Sequence, residues 1–220
     1  MSIYIFSQGI GCKTDSIDYI RIYKKCLLND ASDSIKYIFA EVPERKEIDN
    51  YSKIGIKTGQ LVNMYQFFTD KHTLELSVKT EDKLKELKDL IHYTRVTYHG
   101  SEIQLIREGY VIATIFLDEK DNGYFWGICY FSYTKLLRME IYTDGIMYTN
   151  FYITAKSEGG LYAKLVRRSF YNCDGFVAYD QLLEEGKEYF LFPDGGFYNK
   201  QEFIDEFIKK LDLSKQDTIF

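Results

Sequence analysis

The chain has 220 residues, 45% of them hydrophobic and 28% charged, with a formal net charge of −5. That length and composition describe a globular chain of one large domain or two small ones, and exclude a disordered one. The acid excess argues against nucleic acid as a partner, and the longest apolar runs, such as Tyr110–Leu117, are far too short to span a bilayer.

The residue counts sharpen this. There are 20 Tyr and 16 Phe against only two Pro, Pro43 and Pro193. Tyr and Phe suit a half-buried pleated surface, so the excess predicts extensive β-sheet. No basic stretch precedes an apolar one near Met1, so no signal peptide is expected and the cytoplasm is the expected compartment. The four cysteines, Cys12, Cys26, Cys129 and Cys173, are isolated and lack metal-ligand spacing. In a reducing compartment they are expected as free thiols.

In chain order, Ile3–Phe6 (IYIF) reads as a short apolar strand, followed by the small-residue loop SQGIGCKTDS. A helix is expected over 16–28, because Ile17, Ile20, Tyr23 and Leu27 recur at three- and four-residue spacing. Asp15 or Ser16 is suited to cap it. A second strand is expected over 35–40. Strand, Gly-containing loop, helix and strand form the opening of a βαβ unit. Helices are expected over 47–53 and 59–68, the second with Leu61, Met64, Tyr65 and Phe68 at helical spacing. The character changes near Asp70. Thr80–Ile91 still reads as a helix, with Thr80 as its expected cap.

From Tyr93 onward the pattern becomes strand, turn, strand. The turn signals are REG at Gly109, DEKDNG ending at Gly123, TDG at Gly145, SEGG ending at Gly160, NCDG at Gly175 and EEGK at Gly186. Gly, Asn and Asp tolerate the positive φ of tight hairpins, so this rhythm predicts an antiparallel meander. Beyond it, Asn199 and Glu202 stand close to a capping-box pattern. Phe203, Ile204, Phe207, Ile208 and Leu211 mark an apolar helical face, and 218–220 reads as a strand. An apolar strand after a helix is normally covered by further α/β units. The residues therefore predict an α/β domain interrupted by an inserted sheet and cut short. The expected boundaries are 1–70 and 198–220 for the α/β part and 71–197 for the insertion.

Chemistry is less legible. Gly9 and Gly11 lie between a strand and a helix, where a phosphate could approach exposed amides. A plain tight turn is the better explanation on residues alone, since position 14 is Thr where a dinucleotide fingerprint would place Gly. His72, His92 and His99 lack ligand or catalytic spacing. Asp180, Glu184 and Glu185 read as a solvated hairpin tip. Lys164, Arg167 and Arg168 form a small basic group, suited to an anion but expected to meet neighbouring acids. The aromatic sheet either packs on its own helices or offers a partner surface.

Two segments carry a family resemblance. IYIFSQGIGCKTDSIDYIRIYK, at 3–24, resembles the start of the glycosyltransferase A subunits of the accessory secretion pathway in its strand, GIG loop and helix with the acidic-aromatic pair Asp18-Tyr19. RRSFYNCDGFVAYDQLLEEGKEYFLFPDGGFYNKQEFIDEFIKKL, at 167–211, is similar to the same family in its DG turn, VAYD and FPD. The resemblance implies a retaining transferase of two facing Rossmann-like domains (GT-B). The fold class it implies here is a partial Rossmann-like N-terminal domain interrupted by a large antiparallel β-meander. Such enzymes move N-acetylglucosamine from UDP-GlcNAc to Ser or Thr of serine-rich-repeat adhesins, and an inserted sheet binds a paralogous glycosyltransferase B subunit. By that resemblance Ser16, Ile17, Asp18 and Tyr19 match the UDP-contacting stretch and Gly9 and Gly11 its Gly loop, with Ser16 where family members often have Gly. No metal or other cofactor is implied. The family's donor-sugar His and paired glutamates lie beyond residue 220, so the chain alone is expected to be inactive. The implied location is the cytoplasm or the cytoplasmic face of the membrane. Two alternatives stay open: a non-catalytic module that docks a partner transferase, and part of a wall-teichoic-acid N-acetylglucosaminyltransferase.

Overall fold

The computed structural model describes residues 3–6, 36–39, 61–71, 76–143 and 145–211. The chain divides into two compact units, Met1–Leu74 with Gln201–Phe220, and Glu75–Lys200.

In the first unit, β1 (Ile3–Phe6), β2 (Lys36–Phe39) and β3 (Leu61–Asn63) form a three-stranded sheet in that order, with both pairings parallel. Parallel neighbours require crossover connections. Those connections, with the helices expected over 16–28 and 47–53, lie outside the described residues, as does the strand expected at 218–220. The helix expected over 59–68 is not one helix. Its first part is strand β3, and only α1 (Met64–Phe67) is helical. Asn63 divides them: its backbone is extended, and its Oδ1 accepts from the amides of Tyr65 at 2.9 Å and Gln66 at 3.2 Å. An extended residue that caps the following turn ends a strand and starts a helix at one position. Helix α3 (Lys200–Lys210) buries Phe203 and Phe207. Phe203 lies 4.7 Å from the Phe68 ring and Phe207 meets Phe67 edge-on at 5.0 Å. These aromatic contacts hold α3 to α1.

The second unit is built on ten strands: β4 (Arg95–His99), β5 (Glu102–Arg107), β6 (Tyr110–Leu117), β7 (Phe125–Ser132), β8 (Lys135–Thr143), β9 (Gly145–Ser157), β10 (Gly160–Tyr171), β11 (Val177–Glu184), β12 (Lys187–Leu191) and β13 (Phe197–Asn199). Their spatial order follows the chain order from β4 to β13 and each pairs antiparallel with the next, so the sheet is the expected meander. Glu185 and Gly186 both take positive φ, 49° and 79°, between β11 and β12. That is the twist a two-residue hairpin turn requires. The turn between β7 and β8 had no sequence signal. Tyr133 takes φ of 54° there, in a region that few non-glycine residues enter.

Helix α2 (Thr80–Ile91) lies against one face of this sheet. Thr80 is the first helical residue and not the cap. Lys79 stands at the N-cap without a side-chain bond, while the Thr80 amide donates to the Gly123 carbonyl at 2.9 Å. A tertiary bond thus satisfies one of the first-turn donors that have no partner within the helix. At the other end His92 adopts φ of 51° and its amide closes on the Lys88 carbonyl at 3.2 Å, ending the helix. Leu87 is fully buried in a cluster with Ile103, Leu105, Ile115, Phe125 and Ile128.

Directly opposed residues of an antiparallel pair share a face. The register Ile103–Ile115–Ile128–Glu140–Thr149–Ser169–Asp180 therefore lies on the α2 face. The next row, Ile141–Tyr148–Phe170–Tyr179, lies on the opposite face. Phe170 and Tyr179 stack at 4.6 Å and both are fully buried. The apolar side of the sheet thus changes face along its length: aliphatic and toward α2 among β5–β7, aromatic and opposite among β9–β12.

Candidate functional site

The residues chosen for nucleotide contact, Gly9, Gly11, Ser16, Ile17, Asp18 and Tyr19, lie outside the described residues, as does His72. Two histidines are described. His92 ends α2, and His99 closes β4 before the positive-φ Gly100. Both have local backbone roles. Among the described residues no helix is long and apolar enough to cross a membrane.

What the structure does display is one end of the meander. The hairpins β5–β6, β7–β8, β9–β10 and β11–β12 all turn there. The β9–β10 hairpin is the longest. Its outermost β8 pairing is Arg138 with Phe151, and its outermost β11 pairing is Arg167 with Leu182. Beyond these, among the described residues, Tyr152–Leu165 to Ser157–Gly160 pair only with each other. Six such steps extend about 20 Å at roughly 3.3 Å per residue. Ile153 and Tyr162 share one face of this projection and Leu161 occupies the other. Leu161 is 71% exposed and Tyr162 48%. At the neighbouring tips, Tyr110 and Tyr133 meet edge-on at 5.0 Å, both exposed. A projecting hairpin with free edges and exposed apolar side chains on both faces is the usual form of a protein interface. Sequence reasoning did not single out these residues, because their exposure depends on how far the neighbouring strands reach.

Two polar clusters stiffen the sheet. On the α2 face, the buried Glu140 accepts from the phenols of Tyr130 and Tyr142, both at 2.8 Å on Oε2, and pairs with Arg138 at 3.2 Å on Oε1. Burial, then the Glu140 charge, holds both phenols well above their ordinary range. On the opposite face, Arg168 donates from Nε to Asn150 Oδ1 at 2.9 Å and from Nη1 to Gln181 Oε1 at 3.0 Å. Gln181 donates onward to Glu188, which also receives the Lys200 ammonium at 2.8 Å. Burial raises the Tyr152 phenol above its ordinary value, opposed by a bond from Asn150 and by the Arg168 charge.

Two expectations need correction here. Asp180 is not at a solvated tip. It lies opposite Ser169 within the sheet and accepts that hydroxyl's hydrogen bond, whereas Glu185 is the actual turn residue. Among the described residues the basic group meets no acid. Arg168 binds neutral amides, and Arg167 stacks on the Phe151 ring at 4.1 Å. The cause is a bulge between Leu165 and Arg167, which puts Lys164 opposite Ile153 and Arg167 opposite Phe151 on one face, with Arg168 on the other.

A fold in which parallel strands accompany a long antiparallel meander is shared with solved glycosyltransferases. The chain superposes over its whole length on 43% of a chain in a crystal structure of a GtfA/B complex, with a TM-score of 0.80 at 24% identity. It superposes to the same extent on the pneumococcal O-GlcNAc transferase GtfA in complex with UDP and GlcNAc, with a TM-score of 0.78 at 24% identity. At that identity the likeness concerns the fold. More particularly, residues 92–194 match the family model of the GtfA extended beta-sheet domain. All of the chain aligns, at 26% identity, with the UDP-N-acetylglucosamine–peptide N-acetylglucosaminyltransferase GtfA subunit of Streptococcus agalactiae. The chain spans 42% of that relative's length. The resemblance to glycosyltransferase A subunits thus runs through the middle of the chain as well as its two bracketing segments.

Proposed function

We propose that the chain is the portion of a UDP-GlcNAc-dependent protein glycosyltransferase that presents the partner and acceptor surfaces. The observation that carries this reading is the extended sheet itself. It matches the GtfA extended beta-sheet domain, and it is flanked in sequence on both sides by segments of one α/β unit. In this reading the first unit is part of a Rossmann-like GT-B domain, supported by its three parallel strands, and the meander is inserted in it. UDP contact is assigned to Ser16, Ile17, Asp18 and Tyr19, with Gly9 and Gly11 shaping the preceding loop. The donor is UDP-GlcNAc, with no metal required. The acceptor is a serine-rich protein, met at the cytoplasmic side of the membrane.

The projecting β9–β10 hairpin and the Tyr110–Tyr133 pair are assigned to a paralogous glycosyltransferase B subunit. Electrostatic stabilisation of the departing diphosphate would come chiefly from residues outside this chain. The test is a transfer assay with purified chain, UDP-GlcNAc and a serine-rich acceptor peptide. No transfer by the 220-residue chain alone is expected. Turnover comparable to that of a whole GtfA–GtfB pair would overturn the assignment.

A further inference from the structure

Among the described residues, Arg168 has no carboxylate partner for its half-buried guanidinium. A guanidinium has five N–H donors. Nε spends its one on Asn150 and Nη1 spends one on Gln181, so one on Nη1 and two on Nη2 remain unspent. Both acceptors are neutral amide oxygens on well-buried side chains: Asn150 is 8% exposed and Gln181 only 1%. Asn150 on β9 and Gln181 on β11 thus hold the guanidinium from both neighbouring strands. The wider network does not supply the missing charge. Among the described residues Glu188 is its one carboxylate, and its two oxygens are taken by Gln181 and Lys200. Arg168, Glu188 and Lys200 together leave one positive charge uncompensated. Taking a cation partly out of water without a partner is costly.

Position in the sheet narrows the role. Arg168 belongs to a register row that runs Thr114–Cys129–Met139–Asn150–Arg168–Gln181 on the face opposite α2. Tyr152 is two residues along β9 from Asn150, on the same face, and feels the Arg168 charge. The N–H groups left on Nη1 and Nη2 are charged donors of the kind that bind the oxygens of an anion.

We propose that Arg168, held by Asn150 and Gln181, is a binding site for a single oxyanion, a phosphate or carboxylate group that engages its remaining Nη1 and Nη2 donors. The site is independent of the transferase reading.

The test is a titration of the isotopically labelled 220-residue chain with inorganic phosphate and, separately, acetate at constant ionic strength, read at the Arg side-chain ¹H–¹⁵N resonances. A saturable shift of the Arg168 signals is expected with at least one of the two. Response to phosphate alone assigns a tetrahedral anion, and to acetate alone a planar one. Arg168→Lys keeps the charge but loses the fork, and is expected to weaken binding by about tenfold. Arg167→Lys, on the opposite face over Phe151, is expected to leave it unchanged. Asn150→Asp supplies an internal carboxylate to Nε and is expected to remove the response while the fold is kept. The proposal is overturned if neither anion saturates, if Arg167→Lys weakens binding as much as Arg168→Lys, or if folded Asn150→Asp still responds.

Discussion

Tyr142 lies two residues from Glu140 on β8 and donates its phenol proton back to Glu140 Oε2 at 2.8 Å, the same oxygen that receives Tyr130 from β7. One carboxylate therefore ties two strands and the residue facing α2, where the Lys83 ammonium lies 5.3 Å from the centre of the Tyr142 ring. Replacing Tyr142 by Phe leaves a buried acceptor with one donor fewer. A loss of about 1–3 kcal/mol is expected from denaturant unfolding. Glu140→Gln is expected to cost at least as much, because Arg138 then loses its ion-pair partner.

The same pair gives a pH dependence whose sign is fixed. Both phenols are raised above the ordinary value of 10.0, so the folded chain holds their protons where the unfolded chain releases them. Their contribution is complete below pH 10 and is lost as pH rises above it. Stability measured by urea unfolding is expected to fall more steeply above pH 10 in the parent chain than in the Tyr130→Phe, Tyr142→Phe double variant.

Thiol chemistry separates the two described cysteines. Burial, reinforced by the Glu102 charge, pushes the Cys129 thiol up to about 11, while Cys173 is exposed. A thiol needs its thiolate form to react. Peptide mapping after brief iodoacetamide treatment at pH 8 is expected to find Cys173 labelled and Cys129 spared. Labelling of both at similar rates would contradict the buried placement of Cys129.

The core predictions concern the change of face. Leu87→Ala removes a fully buried contact from the α2 side and is expected to cost about 2–5 kcal/mol. Phe170→Ala removes the centre of the aromatic row on the opposite side and is expected to cost about 3–5 kcal/mol. A surface-like effect at Phe170, below about 0.5 kcal/mol, would contradict the assignment of two separate buried faces.

The meander was legible because Gly, Asn and Asp mark nearly every turn and Tyr, Phe, Ile and Val fill the strands between. Tyr133 shows where that legibility ends. Its positive φ is imposed by the pairing of Ser132 with Lys135, and no turn residue announces it. At 59–68 the helical spacing of Leu61, Met64, Tyr65 and Phe68 was genuine, yet parallel pairing of Leu61–Asn63 with β2 overrode it at the first three described positions. Thr80 had the chemistry of a cap, but tertiary bonds to Asn122 and Gly123 drew it into the helix. The basic group was visible as residues and not as geometry, because one bulge decides which face each side chain takes. The exposed hairpin was illegible for a different reason: exposure depends on how far neighbouring strands reach, and that is a property of the whole sheet.

The most direct test of the account is calorimetric titration of the purified chain with a GtfB subunit, in parallel with Leu161→Glu, Tyr162→Glu. Binding by the parent chain is expected, with affinity reduced at least about tenfold in the double variant and its unfolding curve unchanged. Equal affinity for parent and variant would contradict the role assigned to the projecting hairpin, and no binding by either would contradict the sheet's role as a partner platform.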